Sequence, residues 1–501
     1  MTAFIHSPRG SRDLKWVVVK ILERLVEDVE KDENFSEWFD RVLREAEIVD
    51  DRYPVKGFVV YRGWGYGIAR RIASLLEELL EEDDHQPVLF PTVIPEDTFG
   101  REAEHIAGFS GEVFWVTHAG ERLLERRLLL RPTSETAIYP LFKLWIRSHA
   151  DLPLKIHQTC TVYRYETKAT RPLYRGREFI WNEAHTAHED FEDAERQVRR
   201  GVEMYSRVLD GLCLSYLILK RPEFDKFAGA VYSIAFDTWN PDGKVNQIGT
   251  VHHLGENFSR AFEVTYEDRE GRQRYAHTTC YGLGISRVIA AVIAHHGDDH
   301  GLVLPPVVAP KQVVIVPIPM KGAEERVVEY AVEVAEILQG GGLRVVLDDD
   351  MRRRPGEKFY RWEMFGVPVR VEVGPREVEG RTVTLVRRDT LERSEALLDE
   401  AVDAVRELFT EMEGSLRERS WSRLRSEIGE ANTLEELRRL MEERRIVKVN
   451  WCGSDGCAER MKEEVAGEIR GMRWDVEEQP TGPCVACGGE AAYVVYVSRA
   501  Y

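Results

Sequence analysis

The stretch TCTVYRYETKATRPLYRGREFIWNEAHTAHED, residues 159–190, holds the side chains best suited to chemistry. It reads as an alternating strand, a basic loop and a second alternating strand, the pattern of an antiparallel hairpin with a long connection. Side chains two apart on a strand share a face, so Arg164 and Glu166 are predicted to project together from the first strand. Phe179, Trp181, Glu183 and His185 follow from the second. One surface would then carry a guanidinium, two carboxylates, an imidazole and two flat rings. Taken singly, an Arg–Glu pair is a minor ion pair and a Phe or Trp belongs to a core. Packing does not explain all six on one half-buried face, because buried charges need partners. A planar guanidinium fork bridges carboxylate and phosphate oxygens, and flat rings stack on flat ligands, so the face is suited to binding and charge stabilisation.

Three further patterns carry chemistry. The hairpin's loop holds Lys168, Arg171, Arg175 and Arg177 with no acid among residues 167–177; alone it is a solvated charge run, but it adjoins the hairpin's charged face. Gly282-x-Gly284-x-x-Arg287 precedes an apolar helical run and departs from the dinucleotide fingerprint, which needs a third glycine where Arg287 stands. Of the 7 cysteines, Cys452-x4-Cys457 and Cys484-x2-Cys487 have the spacing of a four-thiolate zinc site. Four protein ligands leave no open position, so that metal would serve folding. Cys160 and Cys213 are predicted to pack as small hydrophobes.

YRYE, a basic loop and REF resemble motif 2 of the class II aminoacyl-tRNA synthetases in its prolyl form. Phe90-Pro91 within HQPVLFPTVIPEDTF resembles motif 1, whose proline lies at that family's dimer interface; RPTSETAIYP (131–140) resembles the proline-binding loop; QIGTVHHLG (247–255) resembles the segment contacting ATP and proline; and HTTCYGLGISRVIAAVIAHHGDDHGLVLPP (277–306) resembles motif 3. The resemblance implies that Arg164 bridges the proline carboxylate and the α-phosphate of ATP and is the catalytic residue. It implies ATP contacts from Arg164, Glu166, Phe179, Gln247, Thr250 and Arg287, with Phe179 and Arg287 enclosing adenine. It implies a proline site formed by Thr133, Glu135, Arg164, Trp181, Glu183 and His252, the first two accepting from the secondary ammonium. The terminal Tyr501 matches the family's C-terminal tyrosine. Two residues depart from the patterns: Ser286 stands where many class II members carry an acid, and Cys280 where many prolyl enzymes have serine. The segment between Glu183 and His277 is too short for the large editing insertion of the bacterial type, so the architecture resembles the archaeal and eukaryotic one.

The elements that must position these groups are legible in outline. Apolar residues from Leu14 to Val29 predict an amphipathic helix at about 14–31. Residues 1–310 are expected to form an α+β class II catalytic domain around an antiparallel sheet. Residues 311–410 alternate strand and helix, predicting a compact α/β domain with a mixed sheet that resembles the family's anticodon-binding module, with Asp348, Arg354, Lys358 and Arg370 as contacts. A charged helical stretch from about 415 leads into residues 411–501, expected as a separate, small zinc-binding α/β domain.

With 501 residues, 43% hydrophobic and 31% charged, the chain reads as a multi-domain globular protein. The net charge of −18 speaks against nucleic acid only as a total, because local patches govern contact. No apolar run reaches the ~18 residues that span a bilayer, and MTAFIHSPRGSRD lacks a signal's hydrophobic centre, so no membrane and a cytoplasmic location are expected. The family implies ATP with Mg2+, structural Zn2+, tRNA for proline and a homodimer. Two alternatives are a paralogue that does not charge tRNA and a class II enzyme for threonine or serine. The latter use a catalytic zinc, whereas clustered metal ligands are legible here only in the tail. A zinc-dependent nucleic-acid-binding module is a third, which leaves the hairpin unexplained.

Overall fold

A computed structural model describes residues 30–100, 111 and 113–501; the helix expected from Leu14 lies outside the described residues. In the first unit the elements used below are α1 (Phe35–Glu45), α2 (Gly63–Glu82), β1 (Gln86–Pro87), α3 (Glu135–Trp145), β2 (Leu154–Tyr163), β3 (Glu178–His188), α4 (Phe191–Gly211), β4 (Leu217–Lys220), β5 (Tyr232–Trp239), β6 (Lys244–Gly255), β7 (His277–Leu283) and α5 (Ile285–His296). The alternating patterns do form the hairpin: β2 and β3 pair antiparallel from Leu154 opposite Ala187 to Tyr163 opposite Glu178. β3 pairs with β7, β7 with β6, and β6 with β5, all antiparallel, so the expected antiparallel sheet is present. α5 packs behind it with Val288, Ile289 and Val292 fully buried. α4 starts at Asp190, whose carboxylate accepts from the Asp193 amide, and Glu192 and Asp193 in its first turn suit the positive end of the helix dipole.

The second unit contains β8 (Val313–Pro317), α6 (Glu324–Gly340), β9 (Val345–Leu347), α7 (Pro355–Met364), β10 (Val369–Val373), β11 (Thr382–Arg387), β12 (Arg393–Leu397) and α8 (Ala401–Glu427). Its sheet order is β9-β8-β10-β11-β12, parallel at β8–β9 and β8–β10 and antiparallel beyond, the mixed sheet predicted. The expected boundary at 410 falls inside α8, one continuous helix.

The tail contains β13 (Ile428–Ala431), α9 (Leu434–Glu442), β14 (Ile446–Trp451), α10 (Asp455–Val465), β15 (Glu468–Arg473) and β16 (Tyr493–Ala500). It is not a separate layer, as expected from sequence. β15 pairs antiparallel with β4, and β16 pairs in parallel with β6, giving one 11-stranded sheet in the order β13-β14-β16-β15-β4-β5-β6-β7-β3-β2-β1. Asp237 on β5 seals the junction between two arginines, 2.8 Å from Arg221 Nη2 and 2.8 Å from Nε of Arg470 on β15. One carboxylate is thus shared by two guanidinium groups in a dry interior, where a charge without a partner would be costly.

Two more expectations are corrected. Arg164 and Glu166 do not sit on β2, which ends at Tyr163: the Arg164 amide bonds the Arg177 carbonyl at 3.0 Å and the Glu166 amide bonds the Arg164 carbonyl at 2.8 Å, so the chain turns off the ladder there. In the α/β unit, Asp348, Lys358 and Arg370 are buried and internally paired. Lys358 Nζ donates to the Asp348 carbonyl at 2.6 Å, and Arg370 binds Glu363 and Glu372. Their charges are consumed by the fold, which leaves Arg354, exposed at the start of α7, as the anticodon candidate.

Candidate active site

Two cavities open on the face of β3, β6 and β7. The first, about 320 Å³, is lined among others by Arg164, Glu166, Phe179, Gln247, Thr250 and Arg287. The second, about 240 Å³, is lined among others by Thr133, Glu135, Arg164, Glu183, His252 and Cys280. Arg164, Trp181, Gln247, Thr250 and Gly282 line both, so the cavities meet along one seam. The hairpin, the loop before α3 and the β6–β7 ladder therefore bring the predicted residues together, although they lie far apart in sequence.

Each side chain is held by the fold. Arg164 donates from Nε to the Pro132 carbonyl at 3.2 Å, and its guanidinium lies 5.3 Å from the Phe179 ring centre and 5.7 Å from that of Trp181. Arg287, in the first turn of α5, donates to the Tyr174 carbonyl at 2.9 Å and the Gln247 carbonyl at 2.8 Å. Burial, then the neighbouring Arg164 and Arg175, bring its pKa down to about 10, still charged at neutral pH. Glu166 reaches Arg175 at 4.0 Å. At Gly282 a Cβ would stand 3.1 Å from the Trp181 ring, so glycine lets the indole lie on bare backbone. Ser286, which replaces the usual acid, takes a structural task. It accepts from the Ile180 amide at 3.0 Å and bonds the Tyr61 hydroxyl at 2.6 Å.

In the second cavity the Thr133 hydroxyl and the Cys280 thiol both bond the Glu135 carboxylate, whose remaining lone pairs, with those of Thr133, are able to accept. His252 bonds Ser233 at 2.7 Å and Thr250 at 3.0 Å; burial, with Arg221 and His185 nearby, lowers its pKa to about 3, so it presents a neutral ring. Glu183 lines this cavity, as expected of a pocket wall, and its carboxylate is engaged by protein donors. These are the Ser134 amide at 3.2 Å, the Ser134 hydroxyl at 2.5 Å, Gln158 at 2.8 Å and His185 at 3.2 Å. Burial works to raise its pKa, and these donors together hold it below the usual glutamate value. Ser134, Gln158 and Arg221 were missed from sequence. Gln158 was the most findable of them, since its place on β2 is opposite Glu183.

Tyr501 reaches the hairpin loop from the far end of the chain. Its ring stacks on Tyr174 at 4.0 Å between centres, and its hydroxyl bonds Arg171 at 2.9 Å and Asp242 at 2.5 Å. In the tail, the sulfurs of Cys452, Cys457, Cys484 and Cys487 lie within 4.8 Å of one another. Burial alone would raise the Cys484 thiol, but backbone amides of Cys487, Ala486 and Cys452 outweigh it and bring it down to about 7. The donor set thus fits a thiolate-bound zinc ion. Cys160 and Cys213 are buried, as expected. One reading is corrected: metal-ligating groups cluster a second time, as Glu135, His185 and Cys280.

Comparison with known proteins decides the family. The chain is 52% identical to the proline–tRNA ligase of Pyrococcus horikoshii over 483 residues, 95% of this chain and 100% of that one. It belongs to the proline–tRNA ligase family. A proline–tRNA ligase of Methanopyrus kandleri is also 52% identical, over 93% of this chain and 96% of its own. Three family profiles match in succession: the tRNA synthetase class II core domain (G, H, P, S and T) at residues 114–296, the anticodon binding domain at 312–408 and the prolyl-tRNA synthetase C-terminal domain at 434–501. A solved Giardia lamblia prolyl-tRNA synthetase in complex with prolyl-adenylate superposes with a TM-score of 0.91 at 36% identity, covering 95% of this chain and 100% of that one. The proline–tRNA ligase reaction therefore applies: ATP activates L-proline to prolyl-adenylate, and the prolyl group passes to the 3′ end of the tRNA for proline. The threonine, serine and nucleic-acid-module alternatives fall with this match.

Proposed function

We propose that the second cavity binds proline, the first binds ATP, and adenylation occurs at the seam between them. The observation that carries this is the sharing of Arg164, Gln247 and Thr250 by both cavities, which sets one guanidinium where a carboxylate and an α-phosphate would meet. Both reactants are anionic there, so the protein's task is to orient them and to stabilise charge on the phosphoryl oxygens; a protein nucleophile is not required. In this reading Glu135 and Thr133 accept from the ammonium and the neutral His252 and the Trp181 ring wall the pyrrolidine. Phe179 and Arg287 enclose adenine, Glu166, Gln247 and Thr250 contact the nucleotide, and Mg2+ enters with its phosphates. Glu183 acts as a positioning residue, through Ser134 and His185. Tyr501 fixes Tyr174, whose carbonyl holds Arg287.

Beyond the site, the four tail cysteines hold structural zinc, Arg354 contacts the anticodon, and the enzyme works in the cytoplasm as a homodimer. Dimerisation is supported by exposed Leu89 (80%), Leu144 (59%) and Trp145 (43%) around the buried Phe90 of motif 1. Among the described residues no helix is long and apolar enough to cross a membrane.

The test is proline-dependent ATP–pyrophosphate exchange. Arg164→Ala is expected to lower kcat by roughly 10²–10³, the loss typical of one transition-state donor. Glu135→Gln is expected to raise KM for proline at least tenfold with KM for ATP little changed. Equal effects on both substrates, or near-normal kcat in Arg164→Ala, would overturn the assignment. Light scattering of Leu89→Glu, expected to be monomeric, tests the dimer.

A further inference from the structure

We infer that Glu135, His185 and Cys280 form a binding site for a soft divalent cation such as Zn2+ in the wall of the proline cavity, and that this ion competes with proline. The three are buried, and their ligand atoms lie within 4.8 Å of one another. His185 and Cys280 are directly opposite on β3 and β7, and Glu135 begins α3 above them. Ligands around a tetrahedral ion with bonds of about 2.0–2.3 Å stand roughly 3.5 Å apart, so small side-chain rotations close the site.

The histidine is prepared for this role. Its Nε2 faces the Glu183 carboxylate at 3.2 Å, which fixes the proton there, while Nδ1, fully buried, meets no hydrogen-bond partner among the described residues. A carboxylate holding one ring nitrogen while the other faces a ligand is the usual support of a metal-binding imidazole. Glu183 is itself fixed by Ser134 and Gln158, so the ring cannot easily turn away. Cys280 supplies the sulfur that makes the set soft; on binding, its thiol proton passes to solvent. The fourth position faces the cavity of about 240 Å³, where water or an amine can complete the shell. The competition with proline rests on the reading that Glu135 holds the ammonium group.

The experiment uses full-length enzyme with its tail saturated with Zn2+. Co2+ is titrated while the thiolate-to-cobalt charge-transfer band is followed, with and without proline; glycine at equal concentration controls for chelation. Expected is a band in the wild type whose apparent Kd rises at least tenfold with proline and at least tenfold in Cys280→Ser or His185→Asn. Zn2+ should raise the exchange KM for proline at unchanged kcat, and Cys280→Ser should relieve that inhibition relative to its own uninhibited rate. Identical Co2+ spectra in wild type and Cys280→Ser, or equal inhibition of both, overturn the site. A Cys280-dependent band that proline leaves intact keeps the metal site and overturns the reading of Glu135, so the two fail separately.

Discussion

Arg164 donates to the Pro132 carbonyl and lies over the rings of Phe179 and Trp181, while Arg287 is anchored on two backbone carbonyl oxygens. Arg221, by contrast, lies against the Asp237 carboxylate, and its charge serves the fold. Arg287 fixes two backbone segments at once, the Tyr174 turn and β6, through two different nitrogens. Lysine has no such fork. Arg287→Lys is therefore expected to raise KM for ATP at least tenfold despite conserving charge, measured in the exchange assay. A normal KM would mean that charge alone matters there. The residues that contact substrates in this reading were largely legible because side-chain alternation and motif spacing marked them. Their supports were not: Ser134, Gln158 and Arg221 act only after the fold brings Glu183, Asp237 and Gln247 beside them.

At the level of elements, the hairpin and the α/β unit could be read from local pattern, since alternation in residues 154–188 and strand–helix succession in 313–427 are local properties. The joining of the tail to the catalytic sheet could not be, because β15 and β4 lie some 250 residues apart and neither carries a mark of its partner. What secures that joint is the Arg221–Asp237–Arg470 cluster, in which all three side chains are buried. Arg470→Met would leave Asp237 with Arg221 alone in a dry seam, and losing the hydrogen bonds to a buried carboxylate costs about 1–3 kcal/mol. A lowered denaturation midpoint is expected, with tail tryptophan Trp474 reporting the early loss. Arg425→Met, at an exposed position of α8, should shift stability by no more than about 0.5 kcal/mol. Deleting Tyr501 should leave the midpoint nearly unchanged yet raise KM for ATP, because its contacts fall on the hairpin loop.

Over the whole molecule, buried histidines tie stability to pH. His295 on α5 bonds the Trp239 carbonyl of β5 and Ser420 of α8, each at 2.9 Å, so it binds the catalytic core to the helix that leads into the tail. Burial, with Lys31 nearby, lowers its pKa to about 4. Burial likewise lowers His85 to about 4 against the pull of Asp83, and His252 to about 3. Unfolded, each would titrate near 6.5. Between pH 6.5 and 4 the unfolded chain therefore binds protons that the folded chain refuses, so stability is full above pH 6.5 and is lost as pH falls. From pH 6.5 to 5 the loss is up to about 2 kcal/mol per histidine, at about 1.4 kcal/mol per pH unit. Carboxylates held below their usual values, such as Asp193 beside His188, act only at lower pH. The guanidinium chloride midpoint should thus begin to fall near pH 6.5. His295→Gln keeps a donor and an acceptor without the titration, and should reduce the fall between pH 7.5 and 5 relative to wild type. A midpoint flat down to pH 4.5 in the wild type would show that these histidines take up protons without unfolding the chain.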